Sequence, residues 1–373
     1  WNEKKESAME DSRVRMADSY GKNSSIPKSA TQRVVETGVL ADRIMQYIRE
    51  NQEQFEASPS FRVAEYGCAD GSNSLGVLRN IIETVRRVDS KKSIEILCND
   101  LPSSNFTKLF TILNPLKEEY ENISISVCGD TFYNQIVPSG SLDLIFSFAS
   151  VQWLSKVPCP LETRWYLPCL ENINQEAVET WRQFSIKEWE RFLAQREKEL
   201  KRGGIAYIST ICFEEPLSEG NRLISEAYQF FVKNHKEVLK EYGYNGDYPL
   251  NLPGAFRAKE EYMAPFSNSN LQLSLEEFKI FSTKVPPILE LVENQNFQEL
   301  PKMLEVIDRG FSQPFYEIQL EKIPDLTEQQ RQELLEKLYA CMYAKLPEDY
   351  DYARAFGNFS FCGIVISKSL SQQ

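Results

Sequence analysis

A chain of 373 residues with 42% hydrophobic, 12% aromatic and 26% charged side chains, and only 16 Gly and 18 Pro, has the composition of one large or two ordinary folded domains; a disordered, collagenous or low-complexity chain is excluded. Forty-two basic against 54 acidic residues leave a formal net charge of −12, which repels phosphate backbones and anionic headgroups, so neither nucleic acid nor a membrane surface is an expected partner. Eight cysteines without CxxC pairs or short regular spacing read as small buried hydrophobes. The longest apolar stretches, such as Leu142 to Phe148, are strand-sized, far short of the ~20 residues of a membrane helix. The charged amino-terminal stretch carries no signal sequence, which makes the cytoplasm the expected compartment. A single histidine, His235, argues against Ser/His/Asp and zinc chemistry, and within FFVKNHKEVLKEYG it is expected to be solvated and without a role.

After a polar arm to Ser29, TQRVVETGVLADRIMQYIREN has helical periodicity and leads into a first strand at Phe61–Tyr66. The turn GCADGSNS opens a helix over Leu75–Arg87, and SIEILCND is a second strand ending at Asp100, which completes a βαβ unit. NISISVCG and SLDLIFSF supply strands three and four, with the apolar character of buried parallel strands. A long helix from Gln175 to Arg202 is expected to stop at Gly203-Gly204, followed by a fifth strand in GIAYISTICF. Residues 214–313 have helical patterning without convincing strands. β-Patterning returns at FYEIQLEKI and at NFSFCGIVISKS, after a helix over Thr327–Tyr343. The sum is an α/β fold with a seven-stranded doubly wound sheet. Its expected domains are an arm (1–29) over the active site, a sheet domain (30–213 and 314–373) and a helical cap (214–313) that contributes to the substrate pocket.

The strand-to-helix turn reads Glu65-Tyr66-Gly67-Cys68-Ala69-Asp70-Gly71-Ser72-Asn73, in which Gly67 and Gly71 permit a tight turn and close approach of a ligand. It does not match the nicotinamide fingerprint, whose ribose-binding acid follows ~20 residues on; here Asp100 comes 35 residues after Glu65. That interval, with an acid already inside strand one, fits a nucleoside-bearing methyl donor better than a dinucleotide. A strand-end carboxylate such as Asp100 accepts both ribose hydroxyls. Gln152 and Trp153 directly follow strand four, at the carboxyl edge where such sheets bind ligands. An indole N–H and an amide there offer donors beside an apolar wall.

In order and spacing, EYGCADGSNS, CNDLPSSNF and GDTFYNQIVPSGSLDLIFSFASVQWLSKVP resemble the SABATH family of S-adenosylmethionine-dependent methyltransferases, which methylate small carboxylic acids and, in some branches, ring nitrogens. The arm SYGKNS…KSATQR resembles that family's tyrosine, serine and glutamine segment. The resemblance implies a class I methyltransferase Rossmann-like sheet with a helical cap, S-adenosyl-L-methionine as cofactor and S-adenosyl-L-homocysteine as product. It implies cofactor contacts from Tyr20, Ser29, Glu65, Gly67, Asn73, Asp100 and Leu101. Thr131-Phe132 then bracket the adenine, with Asp130 an alternative for the hydrogen-bonding place, and Ser147 and Phe148 line the methionine portion. Gln32 and Trp153 would grip a substrate carboxylate as the catalytic positioning pair, with Gln152 tuning the fit. Ala149, at a position commonly aromatic in the family, gives a roomier pocket, and Phe361 is among its further aromatic candidates. A carboxylate of pKa ~4 is ionised at neutral pH, so in-line methyl transfer to it needs no general base. The expected function is therefore carboxyl methylation of a small organic acid. N-methylation of a small amine or heterocycle is the alternative, and an inactive binding scaffold the more remote one. Asn172, Asp247 and Asn251 depart from the spacing of the family's metal-binding members, and no metal is expected. Monomer and homodimer remain open.

Overall fold

The computed structural model describes residues 24–168, 170, 173–213, 219–268, 271–296, 298–343 and 355–369. Seven strands form one sheet in the order β3-β2-β1-β4-β5-β7-β6. Strands β1 (Ser60–Tyr66), β2 (Ser93–Asp100), β3 (Ile123–Gly129), β4 (Leu142–Phe148) and β5 (Leu200–Ile211) are parallel to one another. β7 (Asn358–Lys368) runs antiparallel between β5 and β6 (Leu273–Lys284). Parallel strands need crossover helices, which cover both faces; accordingly all seven residues of β4 are buried. Helices α1 (Ser25–Thr37), α2 (Val39–Glu50) and α3 (Gln52–Ala57) precede β1, and α4 (Leu75–Arg86) crosses to β2. Two short helices, α5 (Phe106–Leu113) and α6 (Pro115–Glu119), lead to β3, and α7 (Gln175–Glu199) connects to β5. Beyond β5 come α8 (Glu219–Glu241) and α9 (Lys259–Asn268), and between β6 and β7 lie α10 (Pro286–Glu293), α11 (Leu300–Glu321) and α12 (Glu328–Tyr343). Among the described residues no helix is long and apolar enough to cross a membrane.

The count of seven strands stands, but the sixth is not where the hydrophobic pattern puts it. β6 is LSLEEFKIFSTK, inside the segment expected to be helical, and pairs with β7 along its whole length. Glu276, Glu277, Lys279 and Lys284 put charges along it because it is an edge strand with one face toward water. The segment FYEIQLEKI instead belongs to α11, whose buried Leu304, Phe315, Tyr316 and Leu320 recur at helical spacing. The end of α7 also differs. The helix stops at Glu199, and Gly203, with φ of 71°, lies inside β5 where the register against β4 shifts. A side chain there would drive a Cβ to 2.3 Å from Asn51 Oδ1, so the glycine serves a strand irregularity and a close approach.

Helices α8, α10, α11 and α12 share one apolar core with the loops after β4. A buried ion pair pins this layer down: Arg164 Nη1 and Nη2 donate to the Asp308 carboxylate at 2.8 and 3.1 Å. His235, expected at the surface, is fully buried here. Its Nε2 donates to the Leu338 carbonyl at 3.2 Å, so Nδ1 accepts from the Tyr248 hydroxyl at 2.8 Å. Burial lowers its pKa to about 3 and it stays neutral. It is a satisfied core histidine.

Candidate active site

The strand order reverses between β1 and β4, and the crevice at such a switch point is where doubly wound sheets take ligands. Both turns that leave it are tight. Gly67 has φ of 83°, and a Cβ on it would meet the Ser150 side chain at 2.3 Å, so the glycine lets the β1 turn pack on the end of β4. Ala69 and Ala149 are held in the left-handed region at φ of 47° and 48°. For an alanine this is strained, and such strain concentrates at functional sites. Ala149 is fixed by its N–H to the Ser209 carbonyl at 2.8 Å and by its own carbonyl, which accepts from Gln152 Nε2 at 2.6 Å.

Two cavities meet at this crevice. The first, about 1050 Å³ including its open mouth, is lined by Glu65, Gly67, Asn73, Asp100 and Leu101. Asp130, Thr131, Phe132 and Phe148 complete that side. These are the positions expected to hold the cofactor, with Asp130 and Thr131 both present. Among the described residues its lining contains three carboxylates and no basic side chain. Asp100 accepts from Ala69 N at 2.7 Å, Leu101 N at 2.7 Å and Ser104 Oγ at 2.6 Å. Burial raises its pKa, and these hydrogen bonds oppose the rise. Glu65 Oε1 accepts from Ser74 Oγ at 2.8 Å, while its Oε2 is buried without a partner. Desolvation raises the Glu65 pKa to about 7, against the Ser74 bond and with the help of nearby Asp100. Asp70, the other carboxylate of the turn, pairs with Lys108.

The second cavity, about 590 Å³, lies behind Trp153. Its walls include Gln152, Trp165, Tyr228, Phe256, Phe311 and Phe361, and no described residue that lines it is charged. Trp153 is stacked on Phe315 with ring centroids 5.3 Å apart and lies 5.7 Å from Trp165. The two cavities share Pro27, Ala149 and Trp153.

Three expected site residues fall elsewhere. Gln32 lies on the exposed face of α1 and donates to Glu36 Oε1 at 2.8 Å. Its neighbour Thr31 is buried and lines the first cavity; one residue further along a helix turns ~100° away, which carries Gln32 to solvent. Ser29 lines neither cavity. The serine-to-glutamine spacing of the arm is met in space five residues earlier: Ser24 bonds Asn73, with Asn73 Nδ2 3.1 Å from Ser24 Oγ, and Pro27 lines both cavities. Ser147 is fully buried and donates to the Tyr66 carbonyl at 2.7 Å, tying β4 to β1 away from the cavity. Tyr20 and Asn172 lie outside the described residues. Gln152 does line the second cavity, but both ends of its amide are engaged, Nε2 with Ala149 and Oε1 with Thr210 Oγ1 at 3.0 Å. Asn251 clamps the loop after β4 through Leu161 and Thr163.

A model of the SAM dependent carboxyl methyltransferase family matches residues 8–246, more than half of the chain and the whole of the first cavity's β1–β4 frame. The chain belongs to this family. A probable S-adenosylmethionine-dependent methyltransferase of Arabidopsis thaliana is 31% identical over 46% of this chain and 50% of its own length. The 3,7-dimethylxanthine N-methyltransferase 2 of Coffea arabica is 26% identical over 59% of this chain and 63% of its own. The chain spans about half the length of the curated relatives it matches. A solved structure of loganic acid methyltransferase with SAH superposes with a TM-score of 0.74 at 17% identity, covering 95% of this chain and 98% of that one, which establishes the shared methyltransferase fold.

Several residues of this site carry no motif. Phe311 and Phe315 on α11 and Tyr228 on α8 reach the crevice from more than 70 positions beyond Trp153, and only tertiary packing brings them there. Ser24 and Pro27 had a signal, the spacing of the arm, which also fits Ser29 and Gln32. Sequence alone does not choose between the two registers.

Proposed function

We propose that this chain transfers the methyl group of S-adenosylmethionine to the carboxylate of a small organic acid, giving the methyl ester. The observation that carries the proposal is the junction of an acid-lined cavity with an uncharged aromatic one at Pro27, Ala149 and Trp153. The first cavity fits the cofactor by its chemistry: three carboxylates and the unpartnered Glu65 Oε2 suit a sulfonium and an ammonium and repel phosphates. When bound, S-adenosylmethionine supplies a methyl group on a positively charged sulfur, and the acceptor oxygen gains the carbon as the carbon–sulfur bond breaks. Asp100 accepts the ribose hydroxyls, Leu101 and Phe132 cover the adenine, and Glu65 and Asn73 face the amino-acid end. Trp153 orients the acid through its indole N–H, and Phe315 and Pro27 close the junction to water. No titratable side chain stands among the three shared residues, consistent with an acceptor already ionised at neutral pH. Among the described residues the second cavity supplies the substrate no countercharge, so the cofactor's charge attracts it, and exclusion of water strengthens that attraction.

A second reading is N-methylation of a neutral heterocycle. It is favoured by the uncharged second cavity, by the proline where the family's arm carries glutamine, and by likeness to a xanthine N-methyltransferase. A labelled methyl donor with matched panels of aromatic acids and heterocycles separates the two. Product label that mild alkali releases as methanol supports the ester; alkali-stable label overturns it.

A further inference from the structure

The second cavity has one hydroxyl that its own walls leave unused. Tyr228 on α8 is 4% exposed and lines this cavity. Its ring is fixed edge-on against Phe231 at 6.1 Å, Phe256 at 6.4 Å and Phe356 at 6.2 Å. Among the described residues its hydroxyl donates to no acceptor, whereas the buried Tyr47, Tyr66, Tyr133 and Tyr166 hydroxyls each have a partner at 2.6–2.7 Å. A buried tyrosine normally finds such a partner.

The neighbour that faces this hydroxyl brings a donor. A Cβ on Gly254 would meet Trp165 Cε3 at 2.7 Å, so the Cε3 edge of the indole lies on the loop backbone and the opposite, Nε1 edge turns away from it. That edge turns toward Tyr228, whose ring is T-shaped to the indole at 5.8 Å. The indole N–H is buried and near enough to act on the hydroxyl, yet forms no bond of good geometry with any group. The Tyr228 proton therefore remains for an acceptor inside the cavity. Burial raises the pKa of this phenol, so it stays a donor at neutral pH.

Trp153 and Tyr228 both pack against Trp165, at 5.7 and 5.8 Å between ring centroids, and both line the second cavity without being in ring contact with each other. Apart from Ser24 and Gln152, the other described residues that line this cavity are aromatic or aliphatic, and none is charged. We propose that the acid taken by this enzyme is a flat, apolar monocarboxylate with a single hydrogen-bond acceptor at the end away from its carboxylate, which Tyr228 reads while Trp153 holds the carboxylate. This rests on the carboxyl methyltransferase reading and adds the substrate class. A second carboxylate or a polyhydroxylated ring is disfavoured, because the cavity offers neither countercharge nor enough partners for what would be desolvated.

The experiment compares 4-acetylbenzoic and 4-isopropylbenzoic acids, nearly equal in shape and different in the distal carbonyl, and the same pair lengthened as cinnamic acids. In the native chain the acetyl member of at least one pair is expected to be favoured about 5- to 10-fold in kcat/KM. Tyr228→Phe keeps the ring and its packing. It should reverse the preference, because the carbonyl then loses water without gaining a donor. Cofactor affinity, read by calorimetry, reports whether the variant is folded; where it is not, the native ratio alone decides. Equal rates or an isopropyl preference in the native chain, or an acetyl preference that survives Tyr228→Phe, overturns the inference. If no acid is methylated although the cofactor binds, the carboxylate reading falls by itself. The inference is then decided by the affinities of the same acids in the presence of S-adenosylhomocysteine, where equal affinity within each pair overturns it and acetyl-selective binding upholds it.

Discussion

The cavity at the ends of β1 and β2 and the cavity behind Trp153 are built on opposite physical plans. The first is polar, carries three carboxylates, and hangs on turns fixed to a buried parallel sheet. Among the described residues the second carries no charge, and its far wall is carried by α8 and α11, helices anchored by side-chain packing and by two ion pairs to the loop after β4, the buried Arg164–Asp308 and the more exposed Lys236–Glu162. A rigid polar site suits a ligand that every member of a family shares. A wall of packed aromatics on separate helices can be re-cut for a new acceptor without disturbing the donor. If that division holds, perturbations of the two cavities should be separable.

The most severe perturbation on the helical side is loss of one partner of the Arg164–Asp308 pair, both nearly inaccessible to solvent. Breaking a buried pair leaves an uncompensated charge and costs about 3–5 kcal/mol. Asp308→Ala should lower stability by that amount in urea unfolding, and Arg164→Met with Asp308→Leu should recover most of it. In whatever fraction folds, KM for the acid should rise more than the cofactor Kd. α11 carries Ile307, Phe311 and Phe315, and only Phe315 touches the first cavity. Equal losses in both constants would mean that the cavities are one mechanical unit.

On the polar side the largest effect belongs to Asp100. Removing a charged acceptor costs about 1.5–3 kcal/mol for the hydrogen bonds it serves, so Asp100→Ala should weaken cofactor binding roughly 10- to 150-fold in calorimetry. Glu65 adds a smaller, pH-dependent effect. Its folded pKa of about 7 lies above the ordinary 4.5 because of burial. The ligand-free fold therefore binds this proton more tightly than the unfolded chain does. The resulting stabilisation is complete below pH 4.5 and is lost as pH rises through 7. A cationic ligand favours the ionised form. Cofactor affinity should accordingly climb by about tenfold per pH unit below 7 and level off above it. Glu65→Gln should flatten both curves, whereas pH-independent binding by the native chain would place the cofactor's charge away from this carboxylate.

The same division explains what could be read in the sequence. The β1 turn, Asp100 and the Thr131-Phe132 pair are short contiguous motifs next to strands, where local periodicity and a shared frame fix each position. β6 was hidden because this edge strand interrupts its apolar run with Glu276, Glu277 and Lys279, and FYEIQLEKI suggested a strand because five apolar residues in nine suit either period. Phe311 and Phe315 were beyond reach for another reason. Their roles come from helix packing across the sheet, which no local pattern encodes.

The smallest effect tests the boundary between the two plans, the arm. Gln32 is exposed and its amide is held by Glu36, one helical turn on. Such an exposed pair within a helix contributes about 0.2–0.5 kcal/mol. Gln32→Ala should therefore leave stability within about 0.5 kcal/mol and both cofactor Kd and acid KM within about twofold. Pro27 is the contrasting position, because it touches both cavities where the methyl group would pass. Pro27→Gln places an amide donor at the junction. If the acceptor is an anion, that donor should lower KM for the acid while cofactor affinity stays near its native value. A Gln32→Ala variant that loses acid binding would show that α1 turns its other face inward when substrate is bound, and would return the carboxylate grip to the glutamine that the sequence first suggested.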